Sequence, residues 1–227
     1  MVAWNTKRAN METILFLIVL ILSVIAHEVA HGYAANSLGD PTARLAGRLT
    51  LNPLPHIDFM GSLIIPALLV FTHSPVLFGW AKPVPYNPYN LKPQRLGEVL
   101  VAVAGSATNI LLAVIFGLIV RFGSTPLTTG STLLSEPALA LAGTIAFTNL
   151  FLGLFNLIPF PPLDGFTALR SALPWRLSSG LSRLEQRIHA AGALSLVLFL
   201  LLFVYIFSTP FFNFVRWLFG LLTGATL

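Results

Sequence analysis

Residues 23–35 read SVIAHEVAHGYAA, and three ionisable side chains stand there at a spacing that can do chemistry. On a helix, His27 and His31 lie four residues apart, so both imidazoles fall on one face, one turn apart. Two neutral ring nitrogens so placed can approach one ion at about 2.0–2.1 Å. Glu28 adjoins the first histidine, placed to take a proton from water rather than to ligate. The spacing HExxH therefore points to hydrolysis assisted by a metal, with zinc as the expected ion, one per chain. A single histidine on an apolar face is usually a core group bonded to a neighbour. Two around a glutamate, in a chain with only five histidines, are far less expected by chance.

A catalytic zinc takes three protein ligands and keeps one position open. The chain has no cysteine, so the third ligand must be a histidine or a carboxylate. Glu12 lies about four turns up the same helix, too far away. Asp40 and Asp58 occupy polar loops, where acids normally face water. Glu98 and Glu136 open apolar segments, where helix dipoles account for them, and Glu185 sits between Arg183 and Arg187 as one half of a solvated ion pair. Asp164 differs. It ends NLIPFPPLDG, where prolines prevent a regular helix after an apolar run. Irregular backbone at membrane depth is tolerated only against protein or a watery cavity, so Asp164 is the expected third ligand.

These residues sit in a chain that is 56% hydrophobic and 9% charged over 227 residues, against about 25% charged for a soluble domain. The composition excludes a water-soluble globule and predicts an all-α polytopic membrane protein. A net charge of +5 is read as loop charge at the membrane surface rather than as a nucleic-acid footprint. Five to six spans are expected. The first runs from about Glu12 through HEVAH, and because it carries HEVAH it is expected to be retained rather than removed as a leader. Others cover 98–120, 138–158, about 188–208 and, after Pro210, about 211–223. Segment 59–80, broken by Pro66 and Pro75, either spans or re-enters. The connectors 39–56 and 79–93 are rich in turn residues, and alternation in ARLAGRLTL suggests a short strand. One membrane domain, 1–227, is expected, with a catalytic core of about 11–170 and C-terminal helices of about 187–223.

HEVAH in one span with NLIPFPPLDG after another resembles the site-2 protease family of intramembrane zinc metalloproteases. LNPLPHID (51–58), GWAKPVPYNPYNL (79–91) and AGSATN (104–109) extend the resemblance to the compact bacterial and archaeal branch without PDZ or CBS domains. The resemblance implies His27, His31 and Asp164 as zinc ligands and Glu28 as general base. It also implies that Asn156 steadies the substrate carbonyl, although Asn156 could instead cap a broken helix end. His56 is either close to the metal, as a ligand or a ligand's partner, or a loop histidine bonding a carbonyl. Asn109 bonds across helices or to the substrate, and His73 and His189 match nothing in the family. Two positions depart from its pattern: Ser106 stands where AGP has proline, and Phe166 stands where DGG has its second glycine.

Sharing one ion requires HEVAH and Asp164 at one depth, so their spans run in the same direction and 98–120 runs oppositely. That parity forbids 59–80 a complete crossing, so it re-enters or packs as a non-spanning element. The basic residues of 44–48, 82–95 and 170–187 then share a side, leaving Lys7, Arg8 and Arg121 opposite, and the positive-inside rule puts the site towards the cytoplasm. The implied substrate is a single-span membrane protein that unwinds locally, and 42–50 and 82–90 either hold it extended by strand addition or serve only as linkers. A transporter or a proteolytically silent zinc scaffold is the alternative, since intramembrane His and acidic groups also mark ion pathways.

Overall fold

The computed structural model of the chain describes residues 2–64, 67, 68, 71, 81–124, 132–190 and 192–224. Three long helices form its centre: α1 (Val2–Ser37), α3 (Gln94–Gly123) and α4 (Glu136–Asn156). Their termini follow from the sequence. Gly39, at a φ of 101°, and Pro41 stop the chain beyond α1, Pro93 caps α3, and Pro137 opens α4, where a missing N–H costs nothing. Among the described residues these three are the helices long and apolar enough to cross a membrane, over Met11–Ser37, Gln94–Gly123 and Glu136–Asn156. They pack on one another, with α3 central.

Shorter elements complete the chain. Helix α2 (Thr42–Leu45) follows α1, and α5 (Asp164–Ala172) packs on α3. Helix α6 (Trp175–Ala190) leads to α7 (Ala193–Leu202), then a π-helical turn at Phe203–Phe207, then α8 (Ser208–Thr223). Helix α8 closes a core in which Val215 meets Ala113 of α3 and Leu150 of α4. Beside that core, phenylalanines of α4 meet the π-helical turn and α8 edge to face, Phe155 against Phe203 and Phe151 against Phe211.

Several expectations are corrected. No strand exists among the described residues. Thr42–Leu45 is helical, Gly47 takes a φ of 64° that breaks the alternation, and 81–87 has no regular structure. Lys82, Val84 and Asn87 spend their N–H groups inside the protein, on the His56 carbonyl, Glu28 and Asp40 respectively. Pro210 falls in the first turn of α8, so the last helix begins at Ser208 rather than after the proline. Glu185 pairs with Arg170 at 2.6 Å, not with its neighbours in sequence. Segment 59–80 begins with a π-helical turn, Phe59–Ile64, and residues 65, 66, 69, 70 and 72–80, on which the re-entrant reading turns, lie outside the described residues.

Asp40 is the largest departure: expected to face water, it is 0% exposed. Its Oδ1 accepts from the Thr42 N–H, the Thr42 hydroxyl and the Asn90 amide, and its Oδ2 accepts from the Asn87 N–H at 2.6 Å. The carboxylate thus ties the end of α1 to the turn preceding α3. Burial pushes its pKa up, but the bonds from Thr42, Asn90 and Asn87 outweigh that and hold it below the usual carboxylate range. A folded pKa below the unfolded one contributes stability in full above the unfolded value, and loses it as pH falls through the folded one. Replacing Asp40 by alanine should cost about 3 kcal/mol in unfolding experiments at neutral pH in detergent. The gap between wild type and variant should shrink as pH drops below about 4.

Candidate metal centre

Helix α1 carries its histidines in a stretch with one glycine and no proline, so HEVAH remains regular and the i,i+4 geometry is kept. Asp164 arrives differently. Pro159, Pro161 and Pro162 forbid continuation of α4, the chain turns through Phe160 and Leu163, and Asp164 is the first residue of α5, where the positive end of the helix dipole favours a carboxylate. The result is convergence. His27 Nε2 and His31 Nε2 are 3.0 Å apart, and Asp164 Oδ2 lies 2.9 Å from the first and 3.3 Å from the second. One ion bonded tetrahedrally at about 2.0–2.1 Å spaces its ligand atoms about 3.3 Å apart. Among the described residues, these are the three His and acidic side chains grouped closely enough to hold a metal.

The hydrogen bonds behind the histidines decide what faces the cluster. Asn109 donates its amide N–H to the Ser23 carbonyl and to Asn149 Oδ1. A backbone carbonyl only accepts, so Asn109 turns its own oxygen to His27 Nδ1, at 2.6 Å. His27 must therefore donate from Nδ1. His31 Nδ1 donates likewise to the Val101 carbonyl at 2.7 Å. Both Nε2 atoms are left with lone pairs, aimed at each other and at a carboxylate oxygen that is buried without a hydrogen-bond donor. Three electron pairs at such distances repel unless a cation lies among them. Two imidazoles and one carboxylate oxygen match the donor set of a catalytic zinc, so the residues present fit that ion.

Gly105 of α3 makes the room. A Cβ there would lie 2.5 Å from His31 Nε2 and 2.6 Å from His27 Cε1, so no other residue can stand against the pair undisturbed. Ser106, where the family's proline was expected, is fully buried in the interior of α3 rather than at its start, and the helix runs through it unbroken. Phe166 is also harmless. The close approach falls to Gly165, whose Cβ would clash with the Leu157 carbonyl, while Phe166 takes helical backbone and is buried in α5.

The remaining residues named from the sequence lie around this cluster. Glu28, half-buried, accepts from the Val84 N–H at 2.9 Å through Oε2 and is not one of the grouped ligands. His56 is 2% exposed, and its Nε2 donates to the Thr50 carbonyl, not to the cluster. Asn156 ends α4 with its amide donating to the Leu152 carbonyl of its own helix. Asn109 crosses between α3, α1 and α4. Sequence reasoning missed Asn149, Ser23 and Gly105. Asn149 stood out only as an amide in the middle of an apolar span.

Replacing Asn109 by alanine should lower zinc affinity about 10–100-fold, because the His27 tautomer loses its anchor. Gly105→Ala should abolish stoichiometric zinc. Metal analysis of purified variants, with helix content checked by circular dichroism, measures both.

The chain is similar to several known proteins. Residues 124–204 match the family model described as Peptidase family M50, a stretch that includes Asn156 and Asp164 but not HEVAH. YwhC of Bacillus subtilis, which bears the name of a candidate zinc metalloprotease, is 38% identical over 204 residues, covering 88% of this chain and 83% of its own. Rip2 of Mycobacterium tuberculosis H37Rv, named in the same way, is 31% identical over 208 residues, covering 88% of this chain and 71% of its own. No solved structure matches the chain. Identity of that extent over most of both proteins reflects common descent, and the chain belongs to peptidase family M50.

Proposed function

We propose that the protein is an intramembrane zinc metalloprotease that hydrolyses peptide bonds in or near the transmembrane segment of single-span membrane proteins. The observation that carries this reading is the buried convergence of three lone-pair atoms beside Glu28, on a helix long enough to cross a bilayer. His27, His31 and Asp164 hold the zinc. When bound, it supplies a Lewis acid that lowers the pKa of water to about 7. Glu28 takes the proton released as water attacks the scissile carbonyl and delivers it to the departing amine. Asn156 turns its amide from the Leu152 carbonyl towards the developing oxyanion, a donor aimed where charge appears. A membrane helix hides its carbonyls in internal bonds, so the substrate unwinds locally before attack.

The finer topology belongs to the same proposal. The protein is a single domain of five to six spans in a bacterial or archaeal cell membrane, with 59–80 re-entrant and the site towards the cytoplasm. The bond from the Lys82 N–H to the His56 carbonyl, 2.9 Å, supports re-entry, because it brings the two ends of that segment together.

Two experiments test this reading. Wild type should contain about one zinc per chain and cleave a single-span substrate in detergent. Glu28→Gln should keep the zinc and lose about 10²–10⁴-fold in rate; equal cleavage by both would overturn the mechanism. Single cysteines at 57 and 82 should label from the same face of sealed vesicles, and labelling from opposite faces would exclude re-entry.

A further inference from the structure

Arg48, counted from the sequence among the charges of a membrane-surface loop, is 7% exposed. Among the described residues no carboxylate lies within ion-pair distance of it, and its Nε is buried without a hydrogen-bond partner. A buried charge left uncompensated is costly, so its contacts matter. Nη2 donates to the Lys82 carbonyl at 2.7 Å and to the Pro83 carbonyl at 3.2 Å. The next group along the chain is the Val84 N–H, which donates to Glu28 Oε2 at 2.9 Å. The Pro83 carbonyl and the Val84 N–H belong to one peptide unit. In a trans peptide they point in opposite directions. One peptide dipole therefore stands between a guanidinium at its oxygen and a carboxylate at its N–H, an arrangement in which each bond polarises and strengthens the other.

The backbone around that peptide has little freedom. Lys82 donates its N–H to the His56 carbonyl, and Pro83 has none to give. Val84 and Leu49, the residue after Arg48, share the notch at Gly32, where a Cβ would lie 2.6 Å from Leu49 Cδ2 and 2.8 Å from Val84 Cγ1. Gly32 is four residues beyond Glu28, on the same face of α1. Both ends of the bridge are thus seated against the helix that carries the base.

We propose that Arg48 is the positioning residue of Glu28, acting as its counter-ion through the Pro83–Val84 peptide. The bridge commits Oε2 to Val84 and leaves Oε1 for proton transfer, holding the carboxylate in one rotamer beside the histidines. This inference rests on Glu28 being the general base. Loss of the bridge should then impair turnover rather than metal or substrate binding, and misplacement of a catalytic group by about 1 Å costs about 10²-fold.

The test uses purified full-length protein in detergent with a single-span substrate. Arg48→Gln should retain zinc and keep KM within about twofold, with kcat down about 10²-fold. Arg48→Lys, which keeps the charge but not the fork, should recover part of the rate. On the Glu28→Gln background, Arg48→Gln should add no further loss, as expected for residues acting through one group. Hydrogen–deuterium exchange gives a readout independent of activity: peptides containing Val84 should exchange about tenfold faster in Arg48→Gln, while those of α3 stay unchanged. Wild-type kcat in Arg48→Gln, a change in KM alone, or an additive loss on the Glu28→Gln background would each overturn the proposal. If Arg48→Gln loses its zinc or does not fold, Arg48→Lys decides: a lowered kcat with faster Val84 exchange supports the bridge, and wild-type kcat despite faster Val84 exchange overturns it. Failure of the zinc-loaded wild type to cleave any substrate would defeat the protease reading instead, leaving the exchange measurement to decide whether Arg48 holds the bridge.

Discussion

Three lone pairs held within 2.9–3.3 Å of one another, with the protons that could relieve them turned away, are the constraint on which the rest of this molecule depends. The arrangement costs free energy unless a cation lies among them, and the chain maintains it by fixing both histidine tautomers from behind. That fixing sets how the helices pack. Asn109 must lie between Ser23 and Asn149, so α1, α3 and α4 are bound by one buried polar network rather than by apolar contact alone. In lipid, where apolar surfaces have no preference for each other over the acyl chains, hydrogen bonds between helices supply part of the adhesion that the hydrophobic effect gives soluble bundles.

The site joins two kinds of structure. The candidate ligands ride on helices, and their spacing is as rigid as α1 and α5. Glu28 also rides on α1, but its carboxylate bonds to irregular backbone at Val84, which in turn depends on Arg48 and His56. On the proposed reading, metal binding and proton transfer therefore draw on different parts of the fold. Asp40 ties the end of α1 to 87–90 through two hydrogen bonds, from the Asn87 N–H and the Asn90 amide, so the irregular connector is anchored on both sides of Val84. Such a connector can present a precise contact because the N–H groups of Lys82, Val84 and Asn87 are each held inside the protein.

Much of this was open to inspection in the linear chain, and the failures share one cause. The spacing in HEVAH, the prolines before Asp164 and the apolar runs of the three long helices are local signals, read correctly because helix periodicity and proline sterics act over a few residues. Asp40 and Arg48 were misread because a charged residue in a polar loop is usually solvated, and only distant partners show otherwise. The alternation of 43–51 was misread as a strand because a period of two means little when no neighbouring strand accepts the bonds. Asn156 and His56 were named through motifs, but their hydrogen bonds run to Leu152 and Thr50 in their own neighbourhoods.

The sequence by itself determined the candidate donors, their helical spacing, the breaks that free Asp164 and the membrane character of the chain. Each follows from residue type and near-neighbour geometry. Only the tertiary structure decided which nitrogen carries each proton, that Gly105 clears the space and that Glu28 is held through Val84. Those outcomes depend on contacts across 82, 70 and 56 residues of chain. No local pattern records such a distance, because it is set by where whole helices come to rest.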